Sequence, residues 1–478
     1  MLLRLFAILF VGSLCACGGG GGGSSTTPTV PVTPAPTVKP SAKPTVAPTA
    51  VPTATPTPGP APAGRIQHVV VIIQENRSLD NLFQGFPNAD TQNYGMLQQP
   101  GFPPTKVPLQ MVPLAVPCDI SHAHLAWATD WDGGKMDGFG LEPFNCLDAA
   151  TPPPVTYPYS YVNPNDVAPY WLLARNYVLM DEVFEDPTSP SFQSHQFLIA
   201  GQSYNTSENP QYNGAEAAIW GCDAPAGTTI AVYDGLGDTQ TSMAPCFPPP
   251  YATVADLLDA KGLKWKYYAP SIGAAGDIWS AFDAVQSVRY GPDWSNVISP
   301  ETSVLSQANT LPSVTFVVPS FANSDHASSN SNTGPAWVAS VVNAIGQSPN
   351  WSSTAIILLW DDWGGWYDHV APAVSANYQI GGFRVPVICI SPYSEQANPA
   401  SPVVDHRQHG TTAILSFIEE AFGLGSLNAQ DAKELPLNDC FNFNSAPKPF
   451  TAVQASALYP PSYFMRARPS NMVPDDDR

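Results

Sequence analysis

Three carboxylates and one amide stand directly after two apolar runs of the sequence. Glu75 and Asn76 follow the run VVVII and one Gln, and Asp361 and Asp362 follow the run IILLW. Each of them alone is commonly a helix cap or a turn residue. Carboxylates held close together repel one another, however, and a divalent cation is the simplest way to neutralise them. The two pairs together therefore predict one divalent metal ion, and oxygen ligands suit a hard cation without fixing its identity.

The apolar runs before these residues have the length and β-branched content of strands that are buried on both faces. Five such runs occur, at residues 68–73, 177–180, 314–318, 355–360 and 385–390. Helical spacing of apolar residues occurs at 254–260, 336–345 and 411–422. Continuous apolar strands are typical of parallel sheets covered by helices. The predicted fold class is therefore α/β, with a mainly parallel sheet sandwiched by helices and with loop-rich insertions.

The carboxyl ends of the strands are where the ligands of such sheets bind. We therefore expect the two acidic pairs to meet at one edge of the sheet. Ser191 follows Pro190 in a predicted loop after the 177–180 run, and we expect its hydroxyl to be exposed at the same edge.

Five segments of the chain resemble the bacterial phosphoesterase family of non-specific phospholipases C and acid phosphatases. The resemblance rests on HVVVIIQENRSLDNLFQGFP at 68–87, DISHAHLAWATDWDGGKMDGF at 119–139, SPSFQSHQFLIAGQS at 189–203, ANSDH at 322–326 and WDDWGGWYDHV at 360–370. These motifs stand in the family's order between residue 66 and about residue 425. The resemblance implies an alkaline-phosphatase-like fold and metal-dependent hydrolysis of phosphate esters.

The resemblance also implies a role for individual side chains. Ser191 falls at the Ser/Thr nucleophile position, and its attack on phosphorus would give a phosphoseryl intermediate. The active-site positions of the family are matched by His122, His195, Asp325 and His326. The metal-ligand positions are matched by Glu75, Asn76, Asp361 and Asp362. A histidine at such a site can donate a hydrogen bond to phosphate oxygens or a proton to the leaving group.

The sequence departs from the family at two of these positions. Relatives commonly read P-S-F-P-N-H where this chain has PSFQSH at 190–195, and many have Asp-Glu where it has Asp361 and Asp362. Thr188 and Ser189 are neighbouring hydroxyls that compete with Ser191 for the nucleophile's role. Two alternative functions stay open, a non-catalytic surface binding module on the same fold and a sulfate-ester hydrolase.

Several other residues near these motifs have more than one interpretation. Packing against the strand is the favoured role of Trp360, Trp363 and Trp366, and an aromatic wall for a choline head group is the alternative. The sequence does not assign a role to His369, His406 or His409.

The N-terminal segment has the features of an export signal followed by a stalk. Arg4 precedes an apolar run that is too short to span a bilayer, and LCAC at 14–17 resembles a lipoprotein cleavage site with Cys17 as the acylated residue. Residues 18–64 are rich in Gly, Thr and Pro and have almost no charge, so they cannot bury enough surface to fold. We expect a signal at 1–17, a disordered stalk at 18–64 and a catalytic domain at 65–478, exported to the cell envelope and anchored in a membrane.

The net charge indicates which partners are excluded, and the cysteines indicate the redox compartment. A formal net charge of -20 argues against nucleic acid as a partner. The family resemblance implies a phosphate-ester or phospholipid substrate. Six cysteines follow the signal and predict disulfides in an oxidising compartment. Cys118 with Cys146 and Cys222 with Cys246 would close two loop-rich insertions. Cys389 lies inside an apolar run and is expected to be a buried free thiol.

Overall fold

A computed structural model describes Pro62 and residues 64–147, 152–233, 241–395, 401–454 and 459–466. The predicted signal, Cys17 and nearly all of the predicted stalk lie outside these residues.

One central sheet organises the described part of the chain. Its eight strands are β1 His68–Gln74, β2 Val178–Met180, β3 Trp265–Tyr268, β4 Val297–Ile298, β5 Val314–Val317, β6 Thr354–Trp360, β7 Val387–Ile390 and β8 Val403–Asp405. Across the sheet their order is β4, β3, β5, β1, β6, β7, β2 and β8. Short two-stranded pairs form from Tyr94–Gln99 with Phe102–Pro108, Gln110–Val112 with Ser160–Val162, Cys118–Ile120 with Phe144–Cys146, Val183–Phe184 with His409–Gly410, Gln211–Tyr212 with Ala215–Glu216, and Ile230–Val232 with Thr241–Met243.

Helices cover both faces of this sheet. They are α1 Leu79–Phe83, α2 His124–Trp131, α3 Ala168–Asn176, α4 Ser191–Ala200, α5 Val254–Ala260, α6 Gln286–Arg289, α7 Val304–Gln307, α8 Gly334–Gly346, α9 Ala413–Phe422 and α10 Pro461–Phe464. Successive strand residues point to opposite faces. Val69, Val71 and Ile73 of β1 therefore share one core with α4, α5 and α9, whereas Val70 and Ile72 share a second core with α1, α3 and α8. The predicted α/β fold with a mainly parallel, helix-covered sheet is confirmed.

The register of the central strands decides where the site forms. β1 runs parallel to both of its neighbours, β5 and β6. Gln74, the last residue of β1, lies opposite Trp360, the last residue of β6. Glu75 and Asp361 therefore leave the sheet at the same level, as predicted from the two apolar runs.

Two features of the sheet differ from the prediction. β7 runs antiparallel to both β6 and β2, although its apolar run indicated a parallel strand. A strand that is buried on both faces has the same composition in either direction, so the residues cannot report its direction. The edge strands β4 and β8 and the aromatic strand β3 were not predicted, because each is short and none is a continuous β-branched run.

Three disulfides join the six cysteines of the described residues. Cys118 pairs with Cys146 and Cys222 with Cys246, as predicted. Cys389 is bonded to Cys440, so the prediction of a free thiol was wrong. Cys389 is buried in β7, but its partner lies in a buried turn at Asn438–Cys440, 51 residues further along the chain. Apolar surroundings fit a buried thiol and a buried disulfide equally well.

Candidate active site

Backbone hydrogen bonds lock the two acidic loops at the ends of β1 and β6 together. Glu75, Asn76, Asp361 and Asp362 are all buried. The backbone N–H of Asn76 donates to Asp361 Oδ1 at 2.9 Å, and that of Arg77 donates to the carbonyl oxygen of Asp362 at 2.9 Å. Asn76 adopts a left-handed conformation with φ 63°, and a side chain at position 364 would clash with the backbone of Asn76. The close approach of the two loops brings all four predicted ligands into one region.

The helix α4 places its first turn against these acidic loops. Ser191 is the first residue of α4, after Pro190, and its Oγ donates a hydrogen bond to Asp362 Oδ2 at 3.0 Å. Ser191 is fully buried, so the expectation of an exposed loop serine was wrong. The reason is that the segment after Pro190 forms a helix whose ten residues are all buried.

His195 lies one helical turn after Ser191, on the same face of α4. Its Nε2 is 3.3 Å from Glu75 Oε2 and 3.5 Å from Asp361 Oδ2. Burial opposes ionisation of Asp361, but hydrogen bonding and the charge of His195 outweigh it and lower the pKa of this carboxyl. His195, which the sequence placed beside the nucleophile, thus also belongs to the group of acidic side chains.

Buried oxygens in this group fit a bound cation. Asn76 Nδ2 lies 2.8 Å from His122 Nε2, whereas Asn76 Oδ1 is buried and accepts no hydrogen bond from the described residues. Asp361 Oδ2 is likewise buried, and His195 Nε2, 3.5 Å away, is the nitrogen that faces it. Ligand atoms of Glu75, His195 and Asp361 lie within 4.8 Å of one another. Because an uncompensated buried acceptor is costly, these oxygens match the needs of a hard divalent ion.

A second buried cluster adjoins the first and consists of Asp119, His122 and His326. The Nδ1 atoms of His122 and His326 lie 2.7 Å from Ile120 O and 2.5 Å from Ala327 O, so in each neutral ring Nε2 is the acceptor. His326 Nε2 is 3.9 Å from Asp119 Oδ2. Asp119 was missed from the sequence, although it opens the segment DISHAH that contains His122.

Asp325 faces a different set of groups from its neighbour His326. Its Oδ2 accepts a hydrogen bond from Trp360 Nε1 at 3.0 Å, and its backbone carbonyl accepts one from Arg77 Nε at 2.8 Å. Burial raises the pKa of Asp325 to about 6, although the charge of Arg77 and hydrogen bonds from Tyr170 and Trp360 oppose the shift. Asp325 therefore contacts the residue before Asp361 and the residue after Asn76.

Comparison with known proteins assigns the chain to a family. The model of the phosphoesterase family matches residues 66–425. The chain belongs to the phosphoesterase family. As a member of it, the protein is a phosphoric ester hydrolase. Each residue of the two clusters lies inside the matched range.

Curated relatives cover most of the chain at low identity. Phospholipase C B of Mycobacterium tuberculosis is 24% identical over 449 residues, which cover 80% of this chain and 79% of that protein. Hemolytic phospholipase C of Pseudomonas aeruginosa is 25% identical over 80% of this chain and 56% of its own length. Non-specific phospholipase C1 of Arabidopsis thaliana is 22% identical over 80% of this chain and 72% of its own length.

Solved structures also align with the chain. A protein in the alkaline phosphatase superfamily from Vibrio parahaemolyticus aligns with a TM-score of 0.33 and 11% identity over 79% of this chain and 72% of that one. The structure titled Ps i-CgsB in complex with k-i-k-neocarrahexaose aligns with a TM-score of 0.38 and 11% identity. The alignment covers 80% of this chain and 77% of that one.

The tryptophans of this phosphoesterase pack inside the protein. Trp360, Trp363 and Trp366 are fully buried. Trp363 Nε1 donates to Asp130 Oδ2 at 3.2 Å, and the guanidinium of Arg77 lies 4.9 Å from the ring centre of Trp366. The packing interpretation is therefore confirmed, and these rings do not form a wall for a head group.

His369, His406 and His409, to which the sequence assigned no role, each contact an oxygen of another segment of the chain. His369 Nδ1 is 2.6 Å from Asp80 Oδ2, His406 Nδ1 is 2.9 Å from Asp181 Oδ1, and His409 Nδ1 is 3.2 Å from Leu435 O. Fully buried Arg384 joins the same region through Asp368, with its Nε 2.9 Å from Asp368 Oδ1. Arg384 Nη1 also donates to the carbonyl oxygen of Asp181 at 3.0 Å, so Arg384 connects the loop after Asp362 to the segment after β2.

Proposed function

We propose that this phosphoesterase cleaves its substrate through Ser191 and a phosphoseryl intermediate, with one divalent cation bound at the acidic loops. The proposed cation ligands are Glu75, Asn76, Asp361 and Asp362. The observation that carries the proposal is the 3.0 Å hydrogen bond from Ser191 Oγ to Asp362 Oδ2, because it joins the candidate nucleophile to the candidate ligands.

The first chemical step is the attack of Ser191 Oγ on phosphorus. Asp362 accepts the hydrogen bond of the hydroxyl and takes its proton as Oγ attacks, and the bond from phosphorus to the leaving alcohol breaks as the bond to Oγ forms. A cation bound here supplies charge that lowers the pKa of the hydroxyl and stabilises the phosphate oxygens. Water then attacks phosphorus and gives its proton to His326, the bond from phosphorus to Oγ breaks, and Asp362 returns the proton to Oγ of Ser191.

The histidines have separate tasks in this proposal. Because His122 Nε2 is the acceptor for Asn76 Nδ2, His122 holds the amide so that Asn76 Oδ1 stays available to the cation. His326, once protonated, donates its Nε2 proton to the leaving alcohol, a role worth typically ~10²–10⁴-fold in rate. Asp119 Oδ2 lies 3.9 Å from that nitrogen, on the side of the ring from which the proton is donated. His195 lies between Glu75 and Asp361 and holds the two carboxylates at a fixed distance from each other.

The proposed substrate class is a phospholipid or a soluble phosphate ester, and the relatives named phospholipase C favour the phospholipid. The test is to assay the purified protein with phosphatidylcholine, p-nitrophenyl phosphate and p-nitrophenyl sulfate, with elemental analysis of the same sample. We expect hydrolysis of at least one phosphate ester, lost on chelation of the metal. Turnover of the sulfate ester alone would support the sulfatase alternative, and turnover of none would support a binding module.

We further propose that the catalytic domain, residues 65–478, is exported and held at a membrane through Cys17 and the stalk at 18–64. Three disulfides suit an oxidising compartment. Within the described ranges, no helix is long and apolar enough to cross a bilayer. An acyl chain on Cys17 would supply the membrane contact.

Replacing Cys17 with serine is expected to move the protein from the membrane fraction to the soluble fraction, because the thiol that carries the lipid is lost. Cell fractionation with immunodetection measures this change. Cys15→Ser is the matched control, since it removes a neighbouring thiol of the same segment and should leave the protein in the membrane fraction. Unchanged fractionation of the Cys17 variant would remove the lipid anchor from the proposal.

A further inference from the structure

His195 has a second ring nitrogen that the mechanism above does not use. Its Nε2 faces Glu75 and Asp361, whereas its Nδ1 is buried and makes no hydrogen bond to the residues that the structure describes. His195 also lines a small cavity of about 10 Å³, which has room for one water molecule. We infer that a water molecule bound in this cavity bridges His195 Nδ1 to Ser280 Oγ and makes Ser280 a positioning residue for His195. The positioning role rests on the proposed function, in which His195 holds two carboxylates of the cation site.

The cavity lies between α4 and the buried segment at residues 277–284. Every residue that lines it is buried. Gln196, the neighbour of His195 on α4, donates from Nε2 to the carbonyl oxygen of Ala281 at 2.8 Å. Ser280 directly precedes Ala281, so this hydrogen bond holds the two walls together beside His195 and Ser280.

The polar groups of the wall match the hydrogen-bonding capacity of water. Ser280 Oγ and Trp220 Nε1 line the same cavity, are buried, and make no hydrogen bond within the described part of the chain. The indole Nε1 can only donate, whereas His195 Nδ1 accepts in the neutral ring and donates in the charged one. Water can accept from Trp220 and serve His195 in either state. A buried water typically makes about three hydrogen bonds, and three such groups are present.

Ions fit this cavity less well than water does. A metal cation cannot accept the hydrogen bond that Trp220 Nε1 offers. The nearest carboxylate that could attract a cation, Asp283, already pairs with Arg289 Nε at 3.1 Å. An anion would be repelled by the carboxylates of Asp277 and Asp283, which both line the cavity. A neutral molecule that both donates and accepts is therefore the occupant that the wall selects.

The bridge has a task at the proposed cation site. Outer partners of the groups around a metal site commonly fix the orientation of a histidine ring through its second nitrogen. With Nδ1 held through the water by Ser280, the ring cannot rotate away from Glu75 and Asp361 without losing a buried hydrogen bond. Ser280 therefore keeps His195 in the position that sets the distance between the two carboxylates.

A crystal structure of the unmodified protein tests the water itself. We expect density for one water molecule within hydrogen-bond distance of His195 Nδ1, Ser280 Oγ and Trp220 Nε1. A cavity without such density, or a metal ion in that place, would overturn the inference.

Ser280→Ala tests the positioning role, because it removes one hydroxyl from the wall of the cavity. In protein labelled with ¹⁵N in its histidine rings, the Nδ1 signal of His195, identified by its loss in His195→Gln, should shift. Chelator-stripped protein is dialysed separately against Mg²⁺, Ca²⁺, Mn²⁺ and Zn²⁺, and bound metal is measured by elemental analysis. We expect the dissociation constant of the preferred cation to rise about 10-fold, as for the loss of an outer partner at a metal site.

Ser207→Ala is the matched control. Ser207 is also a buried serine whose Oγ makes no hydrogen bond to the described residues, but it does not line the cavity. The control should leave the His195 signal and the cation affinity unchanged. The same result in Ser280→Ala would overturn the positioning role.

The outcomes separate this inference from the proposed function. If the unmodified protein binds none of the four cations, the proposed function fails, whereas the density and the His195 signal still decide whether the water bridge exists. If Ser280→Ala does not fold by circular dichroism, Trp220→Phe replaces it, because it removes the other hydrogen-bond donor of the wall. An unshifted His195 signal in that variant would count against the bridge.

Discussion

Ser191→Ala should abolish turnover of phosphate esters while the cation and the fold stay in place. The substitution removes only the oxygen that is proposed to attack phosphorus. A loss of ~10³-fold or more corresponds to about 4 kcal/mol of transition-state stabilisation. Asp362 loses one donor but still accepts the backbone N–H of Gly364, so the cost to the free energy of unfolding should be only ~1–3 kcal/mol. Steady-state kinetics, elemental analysis and thermal melting of the same preparation measure the three quantities.

Ser189→Ala is the matched control for the nucleophile, because it removes a hydroxyl two residues away. The hydroxyl of Ser189 is hydrogen-bonded to Tyr233 OH, and Thr188 Oγ1 donates to Tyr378 O at 2.5 Å. Both hydroxyls thus have partners outside the acidic loops, and the control should retain activity. Trapping the phosphorylated enzyme and locating the label by peptide mass spectrometry decides the assignment. A label on Thr188 or Ser189, or full activity without Ser191, would show that another residue attacks.

Asp361→Asn and Glu75→Gln should each lose bound metal and activity together. Each change keeps the shape of the side chain and removes one of the buried negative charges that attract the cation. We expect activity to fall ~10²-fold or more, because the transition state then loses most of the charge stabilisation that the metal supplies. Elemental analysis of the purified variants, beside kinetics at saturating metal, measures both effects.

The control for these variants is Asp259→Asn, which makes the same chemical change at the exposed end of α5. It should retain both metal and activity. Stoichiometric metal in both Asp361→Asn and Glu75→Gln would show that the cation is bound elsewhere. Metal loss without loss of activity would instead separate the cation from the chemistry.

The sequence was most informative where a side chain follows a buried strand. The run before Glu75 and the run before Asp361 each end in polar residues, and parallel pairing of β1 with β6 puts those residues at one level. Hydrophobic periodicity and strand-end position are local properties, so they can be read from the residues alone. This part of the fold and the meeting of the two acidic loops were therefore predictable.

Features that depend on contacts between residues far apart in the sequence could not be predicted from local composition. The direction of β7 and the bond from Cys389 to Cys440 are set by tertiary neighbours, since the local composition is the same for either outcome. The pairing of Glu185 with Ser194 depends on how α4 docks against the segment before it. The motif around Ser191 marked it as the candidate nucleophile. Its burial at the start of a helix depends on the docking of α4 and could not be predicted from the motif.

The burial of α4 has a consequence for how the enzyme should lose activity on heating. Functional loops commonly open with low free energies, before the rest of a protein unfolds. Here all ten residues of the helix that carries Ser191 and His195 are buried, and Leu198 and Ile199 belong to a core of the central sheet. Ser191, the proposed nucleophile, can move out of position only if that core is disrupted. Thermal inactivation of this phosphoesterase should therefore coincide with cooperative unfolding rather than precede it.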